Sequence, residues 1–422
     1  MTARAPCPSL AIGEALDRVA YACVWVFVFD LPWGESVPMM GGLVLGYWLG
    51  LFVAGIGALR MMTVGSARRP SPFHYLMLAL AGWSTLSIFW TLDWGTTVTR
   101  GRTYLQLLVM AWLIWELAVT QARVLGLFQA YVTGALLSSG ITIYNFMMGH
   151  TAAQQAAAWG RIEWDTSRYS ISGINANDLG LILALSVPMI FYVLVSAKGR
   201  LVKLLCWAQL LAGFTAILLT GSRGSLVAAA VGLAMFPLTV SWQSRSQRFA
   251  SAIAGVGLVA CGAYLVPQSS WLRIFQLGSE LSEGTLTHRT VLWAAGLDAF
   301  RNHPLLGVGS GAYGLTILKV ADFSYKTGNA ANAVAHNTFL SVLVELGVVG
   351  ALLLFMLLAS MLYSAIRMRY LERCLWISLL LTWMIGVSAL TWEYRKPTWL
   401  LFSLLAAHVY SRRESEQIPH MS

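Results

Sequence analysis

An all-α integral membrane protein with about twelve transmembrane helices is what this sequence predicts, and three observations carry the prediction. Charged residues make up 11% of the chain and apolar residues 57%, with a mean hydropathy of +0.66, where soluble proteins hold about 25% charged residues. The apolar residues gather into runs of the length needed to cross a hydrocarbon core of about 30 Å, at about 20 residues each. Those runs do not alternate polar with apolar as barrel strands do, so the expected spans are helices.

Twelve runs fit: 15–33, 38–60, 73–91, 103–120, 124–148, 176–196, 201–219, 225–241, 250–266, 337–364, 374–391 and 397–411. They divide the chain into spans one to nine (1–266), a large, partly helical external loop between spans nine and ten (267–336), spans ten to twelve (337–411) and a tail (412–422). Lys and Arg near span ends set the orientation. Arg60, Arg68, Arg123, Lys198, Arg200, Arg367, Arg369 and Arg412 fall on one side, which becomes cytoplasmic together with both termini. The first segment lacks a small-residue cleavage site and is expected to stay as the first helix. The formal charge of +10 is spread over short loops, so it implies a membrane and no nucleic acid. None of the five cysteines falls in an expected external loop, and their spacing suggests neither a disulfide nor zinc.

On the opposite, external side lie the short loops 31–37, 91–101, 220–224 and 391–396, with longer segments at 149–176 and 267–335. Arg100, Arg102, Arg223, Arg395 and Lys396 sit here against the orientation rule. Guanidinium groups just outside the apolar core suit a phosphate-bearing lipid head, because the planar fork grips phosphate oxygens bidentately. The alternative is that each snorkels to headgroups. Asn175, Asn177 and Asp178 open the sixth span, where they either cap backbone amides or contact a substrate. Glu163 and Asp165 are spaced to hold a divalent ion or to stand in a solvated loop. With no other acidic cluster outside, the basic groups are the expected counter-charge, and neither metal nor cofactor is expected.

Polar chemistry concentrates in 286–350. Arg289 sits on a short amphipathic helix that should break at His303-Pro304, since the residue before proline avoids the helical region. A turn with Gly307, Gly309 and Gly311 follows, and His336-Asn337 stand where the next apolar run begins. Glycine turns of this kind are weak evidence of phosphate binding without a strand before and a helix after.

The run Arg289, Trp293, His303-Pro-Leu-Leu-Gly-Val-Gly309, then His336-Asn337 and Glu345-Leu-Gly347, resembles the signature region of bacterial O-antigen ligases (WaaL type) and their polymerase relatives. "TGSRGSLVA" at 220–228, the Asn-rich opening of the sixth span and the twelve-span plan extend the likeness. The resemblance implies a transferase in the bacterial inner membrane, its active site facing the periplasm. It would move O-antigen polysaccharide from undecaprenyl diphosphate to lipid A–core, with membrane lipids around it. Carried over by position, Arg223 and Arg289 would bind the diphosphate and His336 would be catalytic, with Arg100, Arg102, Arg395, Lys396, Asn337 and Asn177 as further substrate contacts. The polymerases' paired Arg-x10-Gly motif occurs here once, at Arg273-x10-Gly284, which favours ligase over polymerase.

Leaving diphosphate develops negative charge that fixed cations must meet, the role given to Arg223 and Arg289. The attacking hydroxyl needs a base, and His336 at a helix start would be kept neutral by the positive end of the dipole. Glu345, on the far side of the same helix, is expected to be a packing or interhelical partner. A transporter of lipid-linked sugars is the remaining alternative, but its ionisable groups should lie near the bilayer midplane and not at one surface.

Overall fold

The computed structural model describes residues 8–39, 43–65, 67–158, 167–234, 264, 289–317 and 333–417. The expected ninth span apart from residue 264, the end of the eighth (235–241), the pair Glu163 and Asp165, and the Arg273 to Gly284 spacing lie outside the described residues.

Among those residues the chain is helical, with no strand beyond one isolated bridge between Pro38 and Val44. Helices α1 (Pro8–Asp30), α2 (Leu45–Val64), α3 (Pro72–Leu86), α4 (Trp94–Leu117) and α5 (Gln121–Met147) run back and forth through short connections. A short α6 (Ala152–Ala158) precedes α7 (Ala176–Ser196), α8 (Arg200–Thr220) and α9 (Arg223–Ala234). Beyond them come α10 (Arg289–Asn302), α11 (Tyr313–Ile317), α12 (Thr338–Ile366), α13 (Tyr370–Val387) and α14 (Lys396–Gln417). Six of these, α2, α5, α7, α8, α12 and α13, are long and apolar enough to cross a membrane, which makes this a multi-pass membrane protein. In α1 and α4 the charged Asp17, Arg18, Arg100, Arg102 and Glu116 shorten the apolar stretch.

Boundaries differ from the expected ones where a local signal outweighs hydropathy. Span two starts at Leu45 rather than 38. Residues 91–101 are not all loop: Asp93 caps α4 by accepting from the Thr96 N–H at 3.0 Å, so Arg100 and Arg102 ride on the second and third turns of a helix.

The centre of the bundle is α7, apolar all round, with 83% of its membrane-length window buried, as expected of a helix with no lipid-facing side. It packs on α5, α8, α9 and α13. Approach to α9 is close because Gly180 has no side chain; a Cβ there would lie 2.6 Å from Ser225 Oγ. Small residues allow such backbone contact in membranes, where lipid tails are as apolar as leucine.

The bundle has two polar ends. At one, Arg60 Nε reaches Asp17 at 3.1 Å and its Nη1 reaches Glu116 at 3.2 Å, while Arg123 Nη2 meets Asp17 at 2.5 Å. Arg68 lies between the Trp115 and Tyr410 rings, 4.4 and 4.2 Å from their centroids, and Arg412 pairs with Glu372. The other end carries His336.

Candidate functional site

The site is framed by a joint between α12 and the glycine turn. Gly347 breaks the hydrogen-bond ladder inside α12 with φ 66° and ψ −168°, and a Cβ there would meet the Leu305 carbonyl oxygen at 2.1 Å. The turn after α10 fills the gap. The N–H groups of Val308 and Gly309 donate to the carbonyls of Val344 and Glu345 at 3.0 and 2.9 Å, and the Val348 N–H donates to the Pro304 carbonyl at 2.9 Å. Glu345 completes the joint by accepting from the Gly311 N–H at 2.7 Å through Oε2. The HPLLGVG and ELG motifs are therefore two halves of one contact. Of the packing and interhelical roles expected for Glu345, the bonds show packing against the glycine turn, and the amides of Gly309 and Gly311 are spent on it. His303, exposed ahead of Pro304, ends α10.

This joint carries α10 to the His336 loop. Leu292, Val308, Ala312, Tyr313, Ala335 and Val344 form a small apolar core of their own, in which Tyr313 Oη donates to the Leu292 carbonyl at 2.8 Å. One turn past Arg289, Trp293 Nε1 donates to the carbonyl of Ala335 at 2.8 Å. The next residue is His336, with φ 48°, a left-handed backbone uncommon outside glycine and asparagine and found where surrounding structure imposes it. On its other side Asn337 caps α12 by accepting from the Leu340 N–H at 3.0 Å. Thr338 Oγ1 donates to the Leu390 carbonyl and accepts from the Trp392 N–H, each at 2.8 Å. His336 is thus clamped from both sides.

Its imidazole is pushed down to about 4, first by burial and then by the charge of Arg289, with Asp178 opposing. The ring is neutral at physiological pH, as a general base requires. Burial leads over the helix dipole on which the sequence argument relied.

Arg223 opens α9, directly after Gly221 ends α8 in the left-handed conformation. Neighbouring Gly224 would place a Cβ 3.1 Å from that of Ala389, so the starts of α7 and α9 meet the 388–395 loop at the end that holds His336. The other predicted contacts have tasks in the fold. Asn177 Oδ1 accepts from Arg168 Nη2 at 2.6 Å. Asn175 caps α7, taking the Asn177 N–H at 2.8 Å, while Asp178 accepts from Trp392 Nε1 at 2.7 Å and from Arg395 Nη2 at 3.2 Å. Lys396 Nζ lies 3.7 Å from Glu35 and Arg395 Nη1 4.0 Å from it. Arg100 sits 3.1 Å from the centroid of the Tyr394 ring, in the field of Glu345 and Glu393. Arg102, two residues on along α4, is exposed.

Arg100 and Arg395 share the Tyr394 ring, 3.1 and 5.4 Å from its centroid, Lys396 stands at Glu35 and Arg102 is exposed. Among the described residues no group of three or more His, Cys, Asp or Glu could hold a metal ion, although the single acids Glu35, Asp178 and Glu393 stand among these cations. Acidic residues far apart in sequence gave no clustered signal. Arg168, Thr338 and Trp392 had no role in the sequence reading of the site, and Trp293 entered it only as a letter of the signature run. Arg168 is buried and donates to the Thr220 carbonyl at 2.8 Å.

Residues 208–355 match the family described as O-Antigen ligase. That segment holds Arg223, Arg289, His336 and Glu345, and neither Arg100 nor Arg395. The exopolysaccharide production protein ExoQ of Rhizobium meliloti (strain 1021) is 27% identical over 312 residues, 69% of this chain and 65% of that relative. The aligned part is less than two thirds of the relative's length. Both findings fall on the superfamily of O-antigen ligases and polymerases that the motifs resemble.

Proposed function

We propose that this membrane protein, which carries an O-antigen ligase domain at residues 208–355, is a glycosyltransferase that moves O-antigen polysaccharide from undecaprenyl diphosphate to lipid A–core. The site would face the periplasm across the inner membrane. The observation that carries the reading is a neutral histidine, clamped in a left-handed backbone, with the charge of Arg289 beside it.

In this reading an acceptor hydroxyl attacks the anomeric carbon of the donor sugar and gives its proton to His336. The bond from that carbon to the diphosphate oxygen breaks, and its electron pair leaves with the diphosphate. Arg289 and Arg223 meet the developing charge, the kind of fixed electrostatic stabilisation that does not need to reorganise during reaction. Trp293 and Thr338 hold the base in place. No divalent ion enters these steps.

A second reading has one observation behind it. ExoQ is named for exopolysaccharide production, so the same site could extend a lipid-linked chain as a polymerase. One experiment separates the two: purified protein is given lipid-linked O-antigen with either lipid A–core or a second lipid-linked unit, with and without EDTA. The ligase reading expects transfer to lipid A–core alone, unaffected by EDTA. Chain extension on the second lipid-linked unit would replace ligase with polymerase, and loss with EDTA restored by a divalent ion would promote Glu163 and Asp165.

A further inference from the structure

A groove and a cavity meet at Lys396. The groove, about 440 Å³, runs between α1, α2 and α4 and is lined by Phe27, Leu51, Leu105 and Val109, with Gly46 and Gly50 along its α2 wall. Leu51, Leu105 and Val109 are exposed, so it opens sideways toward lipid. The cavity, about 170 Å³, is polar and bordered by Glu35, Asn175, Asp178, Trp392 and Arg395. Lys396 lines both. Asp178 ties the cavity to the catalytic end, since its charge also acts on His336.

We propose that the groove and cavity together bind the acylated sugar acceptor, with one acyl chain in the groove and the hydroxyls of its sugar head in the cavity. This rests on the glycosyltransferase reading above and assigns a place to its second substrate. Charge complementarity selects the occupant. A diphosphate would face the carboxylates of Glu35 and Asp178, whereas sugar hydroxyls can donate to them. A third carboxylate, Asp30, is 1% exposed and its Oδ1 has no hydrogen-bond partner among the described residues. It converges with Lys396 at the head of the groove: a Cβ on Gly46 would lie 2.9 Å from Asp30 Oδ2 and 3.3 Å from Lys396 Nζ. Carboxylates beside the cations Lys396 and Arg395 suit a polyhydroxylated head, whose hydroxyls donate to the acids and accept from the cations. The apolar length below suits its chain, because a groove that opens toward lipid can admit an acyl chain sideways from the bilayer and hold it by van der Waals packing. The donor diphosphate is left to Arg223 and Arg289.

The test is binding to the full chain carrying His336→Ala, which cannot complete transfer and so reports the site apart from the reaction. Probes are lipid A–core, the same oligosaccharide stripped of acyl chains, undecaprenyl diphosphate and phosphatidylglycerol. Gly50→Phe fills the groove; the position has room, since a Cβ there meets Phe27 at an ordinary 3.5 Å. It should weaken lipid A–core binding at least tenfold and leave the stripped oligosaccharide and undecaprenyl diphosphate unchanged. Lys396→Gln, which does not depend on the groove tolerating a ring, should weaken both forms of the acceptor several-fold and leave the donor unchanged. Loss of undecaprenyl diphosphate binding in Gly50→Phe would give the groove to the donor chain and overturn the proposal. Equal competition by phosphatidylglycerol would make it a bilayer-lipid site, and unchanged acceptor binding in both variants would also overturn it. Failure of the glycosyltransferase reading would show separately, as absent transfer by the unaltered protein.

Discussion

The two polar ends of the bundle use arginine in different ways. At the end away from His336, Arg60 and Arg123 share Asp17, Arg60 also holds Glu116, and Arg68 is packed between two aromatic rings. Arg60 and Arg123 tie one helix to another, and Arg68 ties the α2–α3 connection to α4 and α14. At the His336 end Asp178 and Glu35 engage Arg395 and Lys396, Arg100 stands in the field of Glu345 and Glu393, and the charge of Arg289 bears on the histidine. Holding a bundle together calls for closed pairs. Meeting charge that appears only during a reaction calls for cations arranged around the place where it will appear.

The comparison breaks first at His336. His336→Ala should reduce transfer by about 10²-fold or more, the usual contribution of general-base assistance. The left-handed backbone makes His336→Asn the cleaner variant, since asparagine tolerates that conformation. It should be equally inactive at normal abundance, and appreciable transfer by the Asn protein would remove the histidine from the chemistry.

Arg223→Ala and Arg289→Ala come next, each losing charge-assisted bonds of about 1.5–3 kcal/mol, read as at least a tenfold fall in transfer. Lys at either position should rescue only in part, because it restores charge without the fork. Full rescue in both would mean that simple charge is enough.

Trp293→Phe keeps a ring and removes the donor to Ala335, a bond of about 1 kcal/mol net. Transfer should fall several-fold, and the acid limb of its pH profile should move upward as Arg289 and His336 lose registration and the imidazole returns toward its ordinary value of about 6.5. A lower rate with an unmoved limb would make Trp293 a packing residue.

The smallest effect on catalysis is expected at the other end. Arg60→Ala takes the guanidinium from Glu116, which is 1% exposed and keeps the Arg68 N–H at 2.7 Å, and breaking a buried pair costs about 3–5 kcal/mol. Thermal stability should drop while activity per folded molecule stays unchanged. An equal loss of activity per molecule would end the division of labour between the two ends.

What could be read from the sequence follows from how local each signal is. Helices such as α5, α7 and α12 were legible because a membrane span is one uninterrupted apolar run. The start of α4 was missed because hydropathy does not register the cap at Asp93. Arg223, Arg289 and His336 stood out through motif spacing, and the structure places Arg289 where its charge acts on His336. The tie from Trp293 to Ala335 and the one from Thr338 to Leu390 end on main-chain carbonyls, which carry no residue signature. They appear only once distant segments are packed. The separation of Arg100 from Arg102 is a matter of helix phase, legible only after the helix is known to begin before them.

The most direct measurement of the central claim, that neutral His336 is the base, is the pH dependence of transfer by the unaltered protein at saturating donor. A group lowered to about 4 is deprotonated throughout the neutral range, so the rate should stay level from about pH 8 down to about pH 5 and fall as His336 takes up a proton below that. A rate that instead falls as the pH rises through 6 to 7 would mean the reaction needs the imidazolium, and would contradict the assignment of His336 as the base.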